Sequence, residues 1–265
     1  MTETVALRLD DVGAASKRHE VYGVTRIPVG PLALPFPGNL LFLKYLPPIK
    51  RWAPYPELTA AQWEEILAAL VDAGARMTVA VTAGWVERDG RVVPFPLKFP
   101  EQARALREGL ERGLLEIADH GYTHCVMEDR LFRPRLFSGN RPYHREFYDW
   151  LPEEVHREHL HAAQDILGSW FGAAPETLVP PGNVLSPKTV AAAVSVGIRF
   201  ISRLGAAPSG AADGITFVDD SRVLAFHDRD IVKGGIGYLR RQLGSRRGAR
   251  FVTVGELGRL QAAER

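Results

Sequence analysis

Short apolar runs and amphipathic helical patterns alternate along almost the whole chain, and this alternation limits the fold more than any other feature. The apolar runs read as strands: "VALRL" at 5–9, "RMTVAVTA" at 76–83, "LLEIA" at 114–118, "ETLVP" at 176–180, "IRFIS" at 198–202, "GITFVD" at 214–219, "RVLAFHD" at 222–228 and "RFVTV" at 250–254. Each is short for a helix and is bounded by turn residues or a helix signal. Parallel strands joined through helical crossovers form a sheet with helices outside it, either open or closed as a barrel. The chain has 265 residues, 46% of them hydrophobic, with neither a low-complexity linker nor an internal repeat. It therefore reads as one domain, 1–265, able to bury its own core.

The helix signals are local and specific. Thr59 and Gln62 form a capping-box pattern ahead of a segment whose Trp63, Ile66, Leu67, Leu70 and Val71 mark one face, and Gly74 supplies the stop. Pro100 opens a helix carrying Ala103, Leu106 and Leu110. "PEEVHREHLHAAQDILGSWFG" ends at Gly172, Ser186 and Pro187 start "SPKTVAAAVSVG", and "GELGRLQAAE" is the last helical pattern.

Composition removes several function classes. A formal charge of +2 gives no argument for a nucleic-acid partner, and "RRQLGSRRGAR" reads as a solvated helix end and loop. No apolar run reaches transmembrane length. The single cysteine, Cys125, excludes an internal disulfide and fits a reducing compartment. With no signal-peptide pattern ahead of the first strand, a cytoplasmic protein is expected.

In parallel α/β folds the chemistry collects at the C-terminal ends of strands. Four such ends carry polar residues: "RLDD" at 8–11, "ADHGYTH" at 118–124, "VPPGN" at 179–183 and "FHD" at 226–228. Singly each is weak, since an Asp pair is common at a turn. Gly121 also removes the glutamate that a zinc-protease H-E-x-x-H motif requires. Together they make a constellation. Histidines at i and i+4 on a helical turn share a face, and two imidazoles with one carboxylate bind a divalent ion with positions left open. Adjacent aspartates diverge, so that one can ligate while the other faces a bound water.

In order and spacing these segments resemble the polysaccharide deacetylase family, carbohydrate esterase family four. The first motif is matched by Asp10–Asp11, the second by "EIADHGYTH", the third in part by "VPPGN" and the last by "VLAFHD". The resemblance implies a distorted (β/α)7–8 barrel with parallel strands and outer helices. It implies Asp11, His120 and His124 as ligands of a divalent metal, with zinc the natural choice. Asp10 is then the general base and His227 the general acid. The backbone near Pro181, Gly182 and Asn183 would face the oxyanion, and Tyr122 and Trp150 are candidate substrate contacts. Two positions depart from the family pattern. Gly121 stands where a Ser or Thr supports the metal loop, a role Thr123 is available to take. Val179 stands where an Arg pairs with the catalytic Asp, and Arg8, on the same side of its strand as Asp10, is the candidate replacement.

A proline-rich insertion at about 24–56 holds eight of the nineteen prolines. Its aromatic and aliphatic residues argue against disorder, leaving a lid beside the metal or a packed excursion as readings. "RPYHREFYDWLPEE" carries Tyr143, His144, Phe147, Tyr148 and Trp150, either as sugar-stacking aromatics or as core under a loop. His156, His159 and His161 read as a solvated helix face, and Cys125 as a wall of the site. The expected function is a metal-dependent hydrolase removing an N-acyl group, acetyl first, from an amino sugar. The alternatives are hydrolysis of another non-peptide C–N bond, as in a cyclic amide or formamide, and a non-catalytic carbohydrate- or metabolite-binding relative. The partner is accordingly a carbohydrate or small amide.

Overall fold

The computed structural model describes residues 3–19, 21–52, 54–127, 136–137, 144–205 and 214–264. Eight strands form the central sheet: β1 Thr4–Val12, β2 Met77–Val81, β3 Leu115–Asp119, β4 Thr177–Leu178, β5 Phe200–Ile201, β6 Thr216–Phe217, β7 Val223–His227 and β8 Arg250–Val252. Every pairing is parallel, in the order β6-β5-β4-β3-β2-β1-β7, with β8 beside the start of β1. The sheet curls into a half-barrel with helices around it, as the strand–helix alternation requires.

The first strand is the axis of this arrangement. It pairs with β7 through Ala6–Asp10, with β8 through Thr4–Ala6 and with β2 from Arg8 to Val12. Covered on both faces as a central parallel strand, it buries Val5, Leu7 and Leu9 on one side and Ala6, Arg8 and Asp10 on the other. Outside it packs the helix Ala60–Ala73. Thr59 and Gln62 make the reciprocal capping box, Gly74 ends the helix at φ 57°, and Trp63, Ile66, Leu67 and Leu70 enter the core. Val71, assigned to that face from its spacing, is half exposed instead.

Between β7 and β8 run two helices, Asp228–Gly234 and Ile236–Ser245. The second carries the start of the arginine-rich run, Arg240 and Arg241, and buries Leu239 and Leu243. The insertion forms two antiparallel ribbons, Arg26–Val29 with Leu32–Pro35 and Tyr22–Gly23 with Lys50–Trp52, separated by a short 3-10 turn at Leu43–Tyr45.

Candidate metal centre

The end of β1 is irregular in a way that serves a site. Its register against β2 shifts between Leu9 and Val12, and Asp11 adopts a left-handed φ of 72°. This bulge re-aims consecutive side chains at a strand end. Asp10 stays in register opposite His227 of β7. Arg8, two residues back and buried, grips Asp10 as a fork: Nε donates to Oδ1 and Nη2 to Oδ2, both at 2.8 Å. Its remaining Nη1 donates to Ser202 Oγ at 2.8 Å. A two-point guanidinium–carboxylate contact fixes both groups in one plane.

The histidine segment is a loop rather than the helical turn expected from its spacing. Gly121 has φ 78° and His124 φ 59°, and both angles break a helix. The two rings nonetheless meet, with centroids 4.9 Å apart. His120 Nδ1 donates to the Val179 carbonyl at 2.5 Å, which turns Nε2 toward the pocket, 3.4 Å from Asp11 Oδ1. His124 Nε2 lies 3.3 Å from the same oxygen but is not aligned as a hydrogen bond, so both ring nitrogens of this buried side chain lack a hydrogen-bond partner. Burial opposes charge on Asp11, yet the two imidazoles outweigh it and hold the carboxyl well below its usual value. Ligand atoms of Asp11, His120 and His124 all fall within 4.8 Å of one another. An orphaned, buried imidazole converging with a second imidazole and a carboxylate is the donor set a divalent first-row ion takes. These residues fit a metal.

What holds this loop in place is a residue the sequence did not disclose. Glu146, 1% exposed, accepts from three successive backbone N–H groups: Tyr122 at 2.9 Å, Thr123 at 3.2 Å and His124 at 3.0 Å. It also receives a short hydrogen bond from His159 Nδ1. The loop therefore wraps a carboxylate, and Gly121 is explained by it. A Cβ at 121 would overlap Glu146 Oε2, so the family's hydroxyl-bearing residue has no room there. Thr123 adds a smaller brace, donating through Oγ1 to the Cys125 carbonyl at 2.9 Å. Asp119, just ahead of the loop, accepts from Gly121 N at 2.7 Å and from Gln164 Nε2 at 3.1 Å. Burial, reinforced by Glu146 against those hydrogen bonds, pushes its carboxyl up to about 7.

Two of the histidines read as solvated are not. His156 is fully buried, with Nδ1 on Thr189 Oγ1 at 2.9 Å and Nε2 on the Tyr148 carbonyl at 3.1 Å, while His159 packs its ring edge-on to Tyr122 and bonds Glu146. Only His161 faces solvent. Nor is Cys125 a wall of the site: it lies in a buried cluster with Ala15, Trp85 and Val86.

Asp11, His120 and His124 open into one pocket, lined also by Asp10, His227, Gly182 and Asn183 as the sequence suggested. Ser16, Tyr22, His144, Arg145 and Pro180 complete it; of these only His144, among the candidate sugar-stacking residues, and Pro180, within the third segment, stood in stretches marked from sequence. Pro181, Tyr122 and Trp150 do not line it. Pro181 is buried, Tyr122 packs against the core and Trp150 stacks on Tyr148 at the surface. Tyr143 lies outside the described residues. The backbone donors of the third segment are fewer than expected. Pro181 has no N–H and Asn183 N closes a turn on Pro180 O, so Gly182 N–H is the donor left. Gly182 leaves space for Arg145, whose Nε would sit 2.5 Å from a Cβ at that position. Asn183 spends its Oδ1 on Leu204 N, which leaves its amide N–H groups to offer.

Beneath the pocket Lys17, 1% exposed, bridges Glu57 at 2.7 Å and Asp228 by a shorter contact. Gly13 N donates to Glu57 and Tyr55 OH to Asp228, both at 2.9 Å. One ammonium thus ties the turn after Asp11 to the residue after His227.

Fold and site together define a parallel half-barrel whose strand ends gather two aspartates and three histidines around one pocket. A family model for polysaccharide deacetylases matches residues 55–201, more than half of the sequence, and the chain belongs to that family. The matched span includes His120, His124, Glu146 and Val179, while Asp10, Asp11 and His227 lie outside it. Among solved structures the chain is similar to a provisionally named polysaccharide deacetylase from Mycobacterium smegmatis, at 13% identity and a TM-score of 0.51 over 77% of each chain. It is also similar to a family 4 acetyl xylan esterase from Clostridium thermocellum solved with a cobalt ion, at 15% identity and TM-score 0.46, covering 78% of this chain and 88% of that one. A CE4 family pseudoenzyme from Bacillus anthracis matches at 11% identity and TM-score 0.47, over 76% of this chain and 62% of that one. No curated protein sequence matches the chain.

Proposed function

We propose that this protein is a metal-dependent hydrolase that removes an N-acyl group, acetyl first, from an amino sugar. The observation that carries the reading is the convergence of Asp11, His120 and His124, with both His124 ring nitrogens buried and unsatisfied. Two imidazoles and a carboxylate favour zinc, with cobalt and other first-row divalent ions as substitutes. Such an ion, when bound, makes water a better nucleophile at neutral pH and polarises the acyl carbonyl.

The chain's own residues do the rest. Asp10, held by the Arg8 fork, accepts the proton of the water that attacks the acyl carbon. His227 sits opposite Asp10 on the next strand, with its side chain 45% exposed at the pocket, and protonates the departing amine. Without that proton a nitrogen leaving group departs poorly. Gly182 N–H, the Arg145 guanidinium and the Asn183 amide supply donors for the acyl oxygen and for acceptors on the sugar.

The test is release of free amine from a panel of N-acetylated sugars by the zinc-loaded protein, beside Asp10→Asn and His227→Ala. Release that falls at least about a hundredfold in Asp10→Asn, with metal content unchanged, supports the reading. A fully metallated protein that frees no amine from any member, or an Asp10→Asn variant as active as wild type, contradicts it.

A further inference from the structure

The insertion presents a surface that the pocket's chemistry does not use. Nine of the eighteen large apolar side chains exposed among the described residues lie between Ile27 and Leu46. In the ribbon formed by Arg26–Val29 and Leu32–Pro35 all strand residues are exposed, so neither face is covered by another layer. An isolated two-stranded ribbon is marginal in water, and packing against another layer is what stabilises one. The turn that follows exposes Leu41 at 74% and Phe42 at 65%, with Tyr45 beside them and Lys44 Nζ 5.3 Å from the Tyr45 ring. So many exposed apolar side chains in one short segment mark a place where something docks.

Charge selects the occupant. From Val21 to Pro56 there is no Asp or Glu, whereas Arg26, Lys44, Lys50 and Arg51 give the segment four positive charges. The whole-chain value of +2 conceals this local excess. A second copy docking on the same face would set these cations against their own equivalents, because a two-fold contact brings like patches together. Protein interfaces are also depleted of lysine at their centres. Apolar side chains that enter the acyl boundary, Tyr at the headgroup level and Lys or Arg around them are what an anionic lipid surface takes.

We propose that residues 26–50 dock the protein on an anionic lipid surface, with Leu41 and Phe42 inserting and Arg26, Lys44 and Lys50 meeting the headgroups. The segment springs from Tyr22, which lines the pocket, and returns at Tyr55, which bonds Asp228 next to His227. Docking therefore brings the pocket's wall to the lipid surface. The proposal is independent of the reaction assigned to the pocket.

Sedimentation with vesicles tests it. The metal-loaded full chain is mixed with phosphatidylcholine vesicles or with phosphatidylcholine–phosphatidylglycerol vesicles, at low and high salt. Wild type should pellet with the anionic vesicles, not with phosphatidylcholine alone, and less as salt rises. Leu41→Ser/Phe42→Ser and Lys44→Glu/Lys50→Glu should each lower the partition about tenfold or more while keeping metal content and melting temperature. Wild type that stays in the supernatant, or Leu41→Ser/Phe42→Ser that pellets as well as wild type, overturns the proposal. A wild-type dimer that Leu41→Ser/Phe42→Ser converts to monomer also overturns it and assigns the face to a second copy.

Discussion

The two halves of the candidate metal centre are held by different means. Asp11 is delivered by a nine-residue strand hydrogen-bonded on both edges, so its position is shared among many backbone contacts. His120 and His124 are delivered by a loop outside regular structure, and the N–H groups of Tyr122, Thr123 and His124 close on one carboxylate, Glu146. Both halves place a candidate ligand, Asp11 or His124, at left-handed φ. Among the described residues only Asp11, Leu41, His124 and Asn183 do so without being glycine, and three of these line the pocket. Each such residue costs on the order of 1 kcal/mol, so the surroundings must hold it there. The strand half spreads that cost over a sheet, whereas the loop half rests the N–H groups of its last three residues on one side chain, with Asp119 and the Ala83–Gly84 backbone bracing the residues before them.

That contrast breaks most visibly at Glu146. Its replacement by Ala strands three backbone N–H groups and the His159 partner in the interior, which should cost about 3 kcal/mol of stability. Metal affinity should fall about a hundredfold or more, read by competitive metal titration beside thermal unfolding. Glu146→Gln, which keeps an acceptor, should recover part of both. If Glu146→Ala binds metal as wild type does, the loop is held by something else.

The strand half should fail in another manner. Arg8→Met removes the fork on Asp10 without touching a metal ligand, so about a hundredfold loss of turnover should accompany unchanged metal content. Arg8→Lys, which restores charge but not the planar fork, should recover little. Turnover that survives Arg8→Met would show that Asp10 needs no orienting partner.

Gly121→Ser probes the same loop more gently. It writes the family's residue into a position at φ 78° whose space Glu146 fills, and should cost about 1–2 kcal/mol and lower metal affinity instead of improving the site. An unchanged melting temperature would contradict the steric account.

A further effect is a pH dependence at Asp119. Its carboxyl titrates near 7 in the folded chain and near 3.8 as the reference value, so folding favours the protonated form. Stability from this group is fully present below about pH 4 and is lost as pH rises toward and through 7. Asp119→Asn should flatten that decline, by about 1–3 kcal/mol between pH 4.5 and 8, in denaturant titrations compared with wild type. The substitution is tolerable because Gln164 can turn its amide over and accept through Oε1, which has no partner now. A parallel decline in both proteins would place the titration elsewhere.

Much of the fold was legible because its signals are local. Thr59–Gln62 and Ser186–Thr189 close capping boxes within one turn, and buried strands show as unbroken apolar runs. The pocket's two aspartates and three of its four histidines were legible because they fall at strand ends. Glu146 was not, since it acts on backbone N–H groups that have no residue identity, across more than twenty positions of chain. The turn of the histidine loop was misjudged because i, i+4 spacing suits a helix, although Gly121 inside it is a helix breaker. His156 was misread as solvated, yet a signal existed. It falls four residues before Leu160, in line with Ala163, Gln164, Leu167 and Phe171 on the buried face of its helix. Trp150 invited a sugar-stacking role by type alone, but the fold turns it away from the pocket.

The most direct test of the account is metal content by elemental analysis of wild type, Asp11→Ala and His124→Ala purified alike after equilibration with zinc. The account predicts about one ion per chain in wild type and a loss in both variants, one from each half of the centre. Wild type without stoichiometric metal, or variants that retain it fully, would contradict it.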